Sequence, residues 1–126
     1  MVTKLVLIID DNVDVRMIFG AILNFDGYHV VEAVDGRSGV DAALKHIPEI
    51  ILMDMTTPLL DGYAAATEIR ANETTRNIPM IAVTANLQSN IEYVRGERLF
   101  AGYLEKPITP STVLAEVHRL IGGPHE

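Results

Sequence analysis

Several polar residues of types that could do chemistry directly follow short apolar runs of this sequence. They are Asp10 and Asp11 after the first run, Asp54 after the third, Thr84 after the fourth and Lys106 after a weaker fifth. If folding gathers the three carboxylates, each like-charge pair about 4 Å apart costs roughly 4 kcal/mol at an effective dielectric constant of about 20. Such a cluster needs a compensating cation, and oxygen ligands without histidine or cysteine favour a hard cation such as Mg²⁺.

The same residues suit phosphoryl transfer to a carboxylate. A carboxylate that is ionised at neutral pH can act as the nucleophile without a general base, giving an aspartyl phosphate. Mg²⁺ and Lys106 would neutralise charge on the transferring oxygens, and the hydroxyl of Thr84 could contact one of them. Three carboxylates, one divalent cation and one lysine have no net formal charge, so the predicted pocket could accept an anion.

The apolar runs must place these residues. The runs cover 5–9, 28–31, 50–53, 80–83 and, more weakly, 102–104. Between and after them, apolar side chains at helical spacing occupy 15–25, 40–47, 64–69, 87–94 and 113–121. Because most of the runs do not alternate, they predict strands buried on both faces of a parallel sheet. We therefore predict an α/β fold with a doubly wound (βα)₅ sheet, whose functional groups collect at the carboxyl ends of the strands.

Local signals predict how the helices begin and end. Gly27 is placed to end the first helix, Pro48 the second, and Asp61 to cap the third. Asp35 with Gly36 is likewise expected to be a cap, at a turn. Glu32, near the end of the second strand, is not expected to reach the crevice if that strand lies at the sheet edge. The first helix is predicted to bury one stripe: Val15, Ile18, Phe19, Ile22 and Phe25.

On these motifs the sequence resembles the receiver domains of two-component response regulators, over about residues 4–121. The matching pieces are Asp10-Asp11, the stretch from Ile51 to Gly62, Thr84-Ala85, and the stretch from Tyr103 to Pro107. Each piece is weak alone, but their order at the ends of successive strands is specific. The resemblance implies a single receiver domain over 1–126, with a flavodoxin-like (CheY-like) sheet in strand order 2-1-3-4-5. Residues 122–126 would form a frayed tail or the start of a linker.

The resemblance also implies a role for each matched residue. Asp54 would be the phosphoacceptor. Asp10, Asp11, Asp54 and the backbone carbonyl of Thr56 would bind Mg²⁺, with Mn²⁺ as an alternative. The groups that bind the phosphoryl group would be Thr84, Ala85 and Lys106, with a cis peptide between Lys106 and Pro107. Thr84 and Tyr103 would form the switch, and the variable positions Thr56 and Asn86 would tune the rate of dephosphorylation.

In signalling, the resemblance implies a phosphohistidine donor on a sensor histidine kinase or a histidine phosphotransfer protein. Phosphorylation would shift the population towards an active form. An output protein would then read the face of the predicted fourth helix, fifth strand and fifth helix. Residues expected on that face are Ile91, Arg95, Tyr103, Glu105 and Val113.

Two other functions remain open on this sequence. One is a docking module of the same fold that works without phosphorylation, although a scaffold has no need of the whole set of polar groups. The other is a Mg²⁺-dependent phosphohydrolase. Such enzymes usually carry a second acid two residues after the nucleophile, where this chain has Thr56, and a cap domain for which it is too short. We therefore expect a signalling switch that catalyses only its own phosphorylation and dephosphorylation, not a general enzyme.

Composition excludes several other classes. The 126 residues include 10 basic and 17 acidic side chains, a formal charge of −7, with no Lys/Arg cluster that would predict direct nucleic-acid binding. The absence of cysteine excludes disulfides and thiolate metal sites. No apolar run is long enough for a signal peptide or membrane insertion. We expect a cytoplasmic protein, and the initial methionine and short tail favour a stand-alone regulator.

Overall fold

The computed structural model describes residues 2–55, 59–86 and 99–125, and for 59–61 the backbone alone. The strands are β1 (Leu5–Ile9), β2 (His29–Ala33), β3 (Ile50–Asp54), β4 (Met80–Thr84) and β5 (Gly102–Glu105). Within the described ranges, the helices are α1 (Val13–Asp26), α2 (Gly36–His46), α3 (Leu59–Ala71) and a C-terminal helix (Pro110–Ile121). The helix predicted over 87–94 lies outside the described residues.

The strands form one parallel sheet in the order β2-β1-β3-β4-β5, which confirms the predicted topology. The chain winds from β1 to β2 in one direction and from β3 onward in the other. The topological switch point therefore lies between β1 and β3, where Ile9 is in register with Met53. The residues that follow these two strands meet at one edge of the sheet.

Two buried cores, one on each face of the sheet, explain the continuous apolar strands. Successive strand residues point to opposite faces. The face covered by α2 and α3 buries Leu7, Ile51, Met53, Val40 and Ala66, among others. The face covered by α1 and the C-terminal helix buries Val6, Ile8, Phe19, Leu23 and Val117, among others. Covering both faces requires strands that are apolar at every position, as in parallel sheets generally.

Side-chain caps set the starts of the helices, and one of the two predicted caps is confirmed. Asp35 with Gly36 is a cap, because α2 begins at Gly36 and the Asp35 side chain accepts the N–H of Ser38 at 2.8 Å as its N-cap. Asp61 does not cap α3, because that helix begins two residues earlier, at Leu59. The ends agree with the sequence: α1 stops at Gly27, whose φ is 109°, and α2 stops before Pro48.

The predicted apolar stripe of α1 is only partly correct. Phe19 and Leu23 are buried, but Ile18 is 52% exposed and Phe25 is 96% exposed. Each residue advances an α-helix by about 100°, so Phe25 points almost opposite to Leu23. The buried line runs through 19 and 23, and it leaves exposed a second apolar line, which includes Val13 and Met17.

The segment predicted to fray, 122–126, is tied to the start of the chain over its described residues. The N–H of Lys4 donates to the carbonyl of Pro124 at 2.8 Å, and Thr3 forms an antiparallel bridge with His125. The buried Tyr28 donates its hydroxyl to the carbonyl of Gly122 at 2.6 Å. The prediction is therefore wrong for 122–125, because backbone pairing with the segment before β1 holds them. None of the described helices is long and apolar enough to cross a membrane.

Candidate functional site

The polar residues singled out in the sequence meet at the carboxyl edge of the sheet. Asp10 follows β1, Asp54 ends β3, Thr84 ends β4 and Lys106 follows β5. Backbone bonds hold the loops in place: the N–H of Asp10 donates to Ala33, at the end of β2, and the N–H of Lys106 donates to Thr84. The fold thus brings four strand ends to one site, as the sequence predicts.

Three carboxylates converge there. One oxygen from each of Asp10, Asp11 and Asp54 can be chosen so that all three lie within 4.8 Å of one another. Asp10 is buried and Asp11 is exposed, while the Asp54 side chain is only 6% exposed. At an effective dielectric constant of about 20, each pair at this distance repels by roughly 3.5 kcal/mol. The cluster therefore favours a positive charge.

Lys106 supplies part of that charge. Its Nζ donates to Asp54 Oδ1 at 3.3 Å and to Asp10 Oδ2 at 3.4 Å, and its peptide bond to Pro107 is cis, as predicted. One lysine leaves three ionised carboxylates with two negative charges uncompensated. The donor set is carboxylate oxygen without histidine or cysteine, the set that suits a hard divalent cation. The residues present therefore fit Mg²⁺.

The turn between β1 and α1 fixes the most buried of the three acids. Burial raises the pKa of the Asp10 carboxyl, and the nearby Asp54 carboxylate raises it further. The N–H of Asn12, which donates to Asp10 Oδ1 at 2.9 Å, and the ammonium of Lys106 oppose this rise. Asp10 thus keeps a proton to a higher pH than an ordinary aspartate does, and a bound cation would compete with that proton.

The remaining predicted site residues follow or belong to β4 and β5, apart from Thr56, which lies outside the described residues. Thr84 is buried, and its Oγ1 accepts the N–H of Asn86 at 3.2 Å, while Ala85 and Asn86 are exposed. Tyr103 is half-buried on β5, in register with Ala82, and packs against the core on the α2–α3 face. The hydroxyl and the aromatic ring assigned to the switch therefore lie on neighbouring strands.

The structure adds a connection that the sequence reading missed. Arg16 Nε donates to Glu32 Oε1 at 3.0 Å, and Arg16 Nη1 donates to the backbone carbonyl of Asp10 at 2.8 Å. β2 does lie at the sheet edge, the condition under which Glu32 was not expected to reach the crevice, and Glu32 is linked to the backbone of Asp10 only through Arg16 in these contacts. The available signal was the position of Arg16, one turn after the N-cap Asn12, which directs a long side chain towards the strand ends.

Three of the five residues expected on the output face are described: Tyr103, Glu105 and Val113. Val113 is completely buried in the core, so it cannot be read by a partner, and this prediction is wrong. The position points inward because the C-terminal helix packs Val113 and Val117, one turn apart, onto the sheet. A groove of about 410 Å³ does lie between β5 and this helix, with lining residues that include Tyr103 and Glu105. Ile91 and Arg95 lie outside the described residues.

The chain belongs to the response regulator receiver domain family, whose model matches residues 6–118. Protein PilH of Pseudomonas aeruginosa is 33% identical over 119 residues, covering 94% of this chain and 98% of that protein. The polar-differentiation response regulator DivK of Brucella ovis is 31% identical over 124 residues, covering 95% and 98%. The chain spans less than half, 44%, of the probable transcriptional regulator ycf27 of Guillardia theta, at 32% identity over 92% of this chain.

Solved structures agree with this family. The receiver domain of the sensor histidine kinase PA1611 of Pseudomonas aeruginosa, with a magnesium ion coordinated in its active-site cleft, aligns with a TM-score of 0.87 at 34% identity, covering 97% of this chain and all of that one. The chemotaxis protein CheY4 of Vibrio cholerae aligns with a TM-score of 0.86 at 26% identity, covering 95% of this chain and all of that one. The chain is thus a response regulator receiver domain, a signalling switch of two-component signal transduction.

Proposed function

We propose that this receiver domain accepts a phosphoryl group on Asp54 from a phosphohistidine of a sensor histidine kinase or a histidine phosphotransfer protein. The observation that supports this most is the convergence of Asp54 with two further carboxylates and Lys106 at the carboxyl edge of the sheet. A single exposed aspartate would have no reason to be surrounded by like charges. An aspartate that receives a dianionic phosphoryl group beside a divalent cation does have such a reason, because the further carboxylates hold the cation.

In the proposed step, a carboxylate oxygen of Asp54 attacks the phosphorus of the phosphohistidine. A P–O bond forms while the P–N bond breaks, and the electron pair of that bond returns to the imidazole nitrogen, which takes up a proton. The ammonium of Lys106, 3.3 Å from Asp54 Oδ1, neutralises charge on the transferring oxygens. Later attack by water on the phosphorus releases inorganic phosphate and restores the carboxylate.

The three acids would hold Mg²⁺, or Mn²⁺ as an alternative, together with the backbone carbonyl of Thr56. When bound, the cation supplies positive charge that offsets the charge on the phosphoryl oxygens. Support comes from the oxygen-only donor set and from the magnesium in the cleft of the PA1611 receiver domain. The protein itself orients the Asp10 carboxylate, which accepts hydrogen bonds from the N–H of Asn12 and from the ammonium of Lys106.

An apolar surface beside the site supports a protein as the donor. A cavity of about 200 Å³ next to Lys106 is lined by Val15, Ile18, Pro107 and Ile108. Ile18 in this lining is 52% exposed, and α1 also exposes the apolar residues Val13 and Met17, which are 57% and 63% exposed. A small phosphodonor needs no such surface, whereas a protein that carries a phosphohistidine could bury it while its imidazole reaches Asp54.

For the output, we propose that the hydroxyl of Thr84 moves towards the phosphoryl group, whose oxygens Lys106 and the backbone at Ala85 also bind. Tyr103 then turns inward and changes the groove between β5 and the C-terminal helix, where an output protein binds. Asn86 and Thr56 tune the rate of hydrolysis. Beryllofluoride, which mimics the phosphoryl group, should shift the NMR signals of the Tyr103 ring in wild type and not in Asp54→Ala. Unchanged ring signals in beryllofluoride-loaded wild type would contradict the switch.

Phosphorylation itself is tested with acetyl phosphate and Mg²⁺, read by mass spectrometry. We expect wild type to gain one phosphoryl group and Asp54→Asn to gain none. Asp41→Asn is the matched control, because Asp41 is an exposed aspartate on α2, away from the cluster. Labelling of Asp54→Asn to the level of wild type would refute Asp54 as the acceptor. Phosphorylation that proceeds equally after chelation of divalent cations would refute the role of Mg²⁺.

A further inference from the structure

Arg16 ties the end of β2 to the end of β1 beneath the acidic cluster. Its Nε donates to Glu32 Oε1 at 3.0 Å, and its Nη1 donates to the carbonyl oxygen of Asp10 at 2.8 Å. The Arg16 side chain is 13% exposed, against 45% for that of Glu32. The guanidinium is planar and presents its donors in a fixed fork, so one rigid group engages both acceptors at once.

The carbonyl that Arg16 binds belongs to the peptide between Asp10 and Asp11. Other contacts already restrain Asp10 on either side of that carbonyl. Its N–H donates to the carbonyl of Ala33 at 3.1 Å, and its Oδ1 accepts the N–H of Asn12 at 2.9 Å. The hydrogen bond from Arg16 fixes the orientation of the Asp10–Asp11 peptide plane. That orientation sets the position of the Asp11 Cα, from which the exposed side chain extends.

We propose that Arg16, held in place by Glu32, is a positioning residue that fixes the Asp10–Asp11 peptide so that both carboxylates converge on one divalent cation. This inference rests on the proposed function, since it requires that the acids bind Mg²⁺. The hydrogen bonds described for the Arg16 side chain go to Glu32 and to the Asp10 carbonyl oxygen, and not to any of the three carboxylates. Arg16 acts through the backbone.

Charge and geometry predict opposite effects for Arg16, so they can be separated. As a cation close to the acids, Arg16 disfavours Mg²⁺, and its removal should tighten binding. As a positioning group it favours Mg²⁺, and its removal should weaken binding. Arg16→Lys keeps the charge but has a single ammonium that cannot reproduce the fork to Glu32 and Asp10. Arg16→Met removes both the charge and the donors.

The test is the dissociation constant of Mg²⁺ alone, measured by isothermal titration calorimetry on the whole chain. We expect Arg16→Lys to weaken Mg²⁺ binding by about tenfold, a loss typical of partners that orient metal ligands, and Arg16→Met to weaken it as well. Arg37→Met is the matched control, because Arg37 also pairs with a glutamate, Glu68, at 3.1 Å, but between α2 and α3. Its Mg²⁺ affinity should equal that of wild type.

A second measurement, made without metal, tests the positioning role of Arg16 independently of Mg²⁺ binding. The N–H of Asn12, which donates to Asp10 Oδ1, should exchange with solvent faster in Arg16→Lys than in wild type or Arg37→Met. Wild-type affinity in Arg16→Lys, or tighter binding in Arg16→Met, would overturn the positioning role. Absence of Mg²⁺ binding in wild type would instead overturn the proposed function. If Arg16→Met does not fold, Arg16→Lys still decides the question.

Discussion

Replacing Lys106 by methionine should tighten Mg²⁺ binding while it slows phosphorylation. The Lys106 ammonium lies 3.3 Å from Asp54 Oδ1 and 3.4 Å from Asp10 Oδ2. It therefore competes with any bound cation for the two most buried carboxylates. Methionine keeps most of the length and apolar volume of the side chain and removes only the charge. A divalent cation would then face three uncompensated carboxylates and no competing ammonium.

The distances bound the size of this effect. If Asp54 Oδ1 is a ligand, with a Mg²⁺–oxygen distance of about 2.1 Å, the cation lies at most about 5.5 Å from the lysine nitrogen. At that separation a divalent and a monovalent cation repel by roughly 1.5 kcal/mol in a medium as polar as water, and by more at a lower dielectric constant. We therefore expect the Mg²⁺ dissociation constant to fall by at least about tenfold. Loss of the charge that stabilises the transferring oxygens should slow phosphorylation by roughly 100-fold.

Calorimetric titration with Mg²⁺ and the rate of labelling by acetyl phosphate measure the two effects on the same samples. Lys45→Met is the control: Lys45 is an exposed lysine in the last turn of α2, so it changes the net charge equally. Its affinity and rate should match those of wild type. The reasoning is refuted if Lys106→Met binds Mg²⁺ as wild type does, or more weakly, because the ammonium would then not compete for the carboxylates.

Three further predictions follow from the structure. Asp10→Asn should stabilise the metal-free protein at neutral pH by on the order of 2 kcal/mol in urea unfolding, since two repulsions outweigh the one attraction to Lys106; a loss of stability would contradict it. Tyr28, whose pKa burial raises to about 12, should ionise about two pH units above an ordinary tyrosine. The free energy of unfolding should fall by about 3 kcal/mol as pH rises from about 10, where Tyr28 ionises in the unfolded chain, to about 12. Tyr28→Phe should remove the ionisation near pH 12 from a spectrophotometric titration. If that ionisation persists in Tyr28→Phe, its assignment to Tyr28 is contradicted. Met17→Glu should slow phosphorylation by a histidine kinase that modifies wild type, but not by acetyl phosphate; equal loss with both donors would exclude α1 as the docking surface.

The sheet and the acidic cluster could be predicted because their signals are local and redundant. A strand that is apolar on both faces, followed at once by a charged residue, indicates both its burial and its end, as 50–53 before Asp54 shows. Parallel strands then place these ends at one edge, whatever the details of the helices between them. The position of Lys106 beside Asp54 and Asp10 followed from the same topology.

The errors occurred where a residue has more than one compatible partner. An aspartate before a glycine can cap a helix or lie inside one: Asp35 is the cap of α2, whereas Asp61 follows the start of α3 at Leu59. Five apolar positions on α1 fit a helical stripe, yet only Val15, Phe19 and Ile22 of these pack against the core. Ile18 and Phe25 are exposed. The tie between Arg16 and Asp10 depends on a backbone carbonyl, which no side-chain pattern records.

The negative charge of the cluster can be reduced by a proton on Asp10 or by a divalent cation, and one carboxylate oxygen of Asp10 cannot bind both at once. With Lys106 as the cation beside them, the three acids keep an excess of negative charge that a proton on Asp10 or a divalent cation can reduce. Burial favours the proton by raising the pKa of Asp10, and only the ionised form of that carboxyl is a good ligand. With Asp10 as a proposed ligand, Mg²⁺ affinity should therefore weaken as pH falls towards that raised pKa, while in the metal-free state the proton relieves part of the repulsion between the acids. Without a cation such a site keeps an excess of negative charge, and this excess favours cation binding.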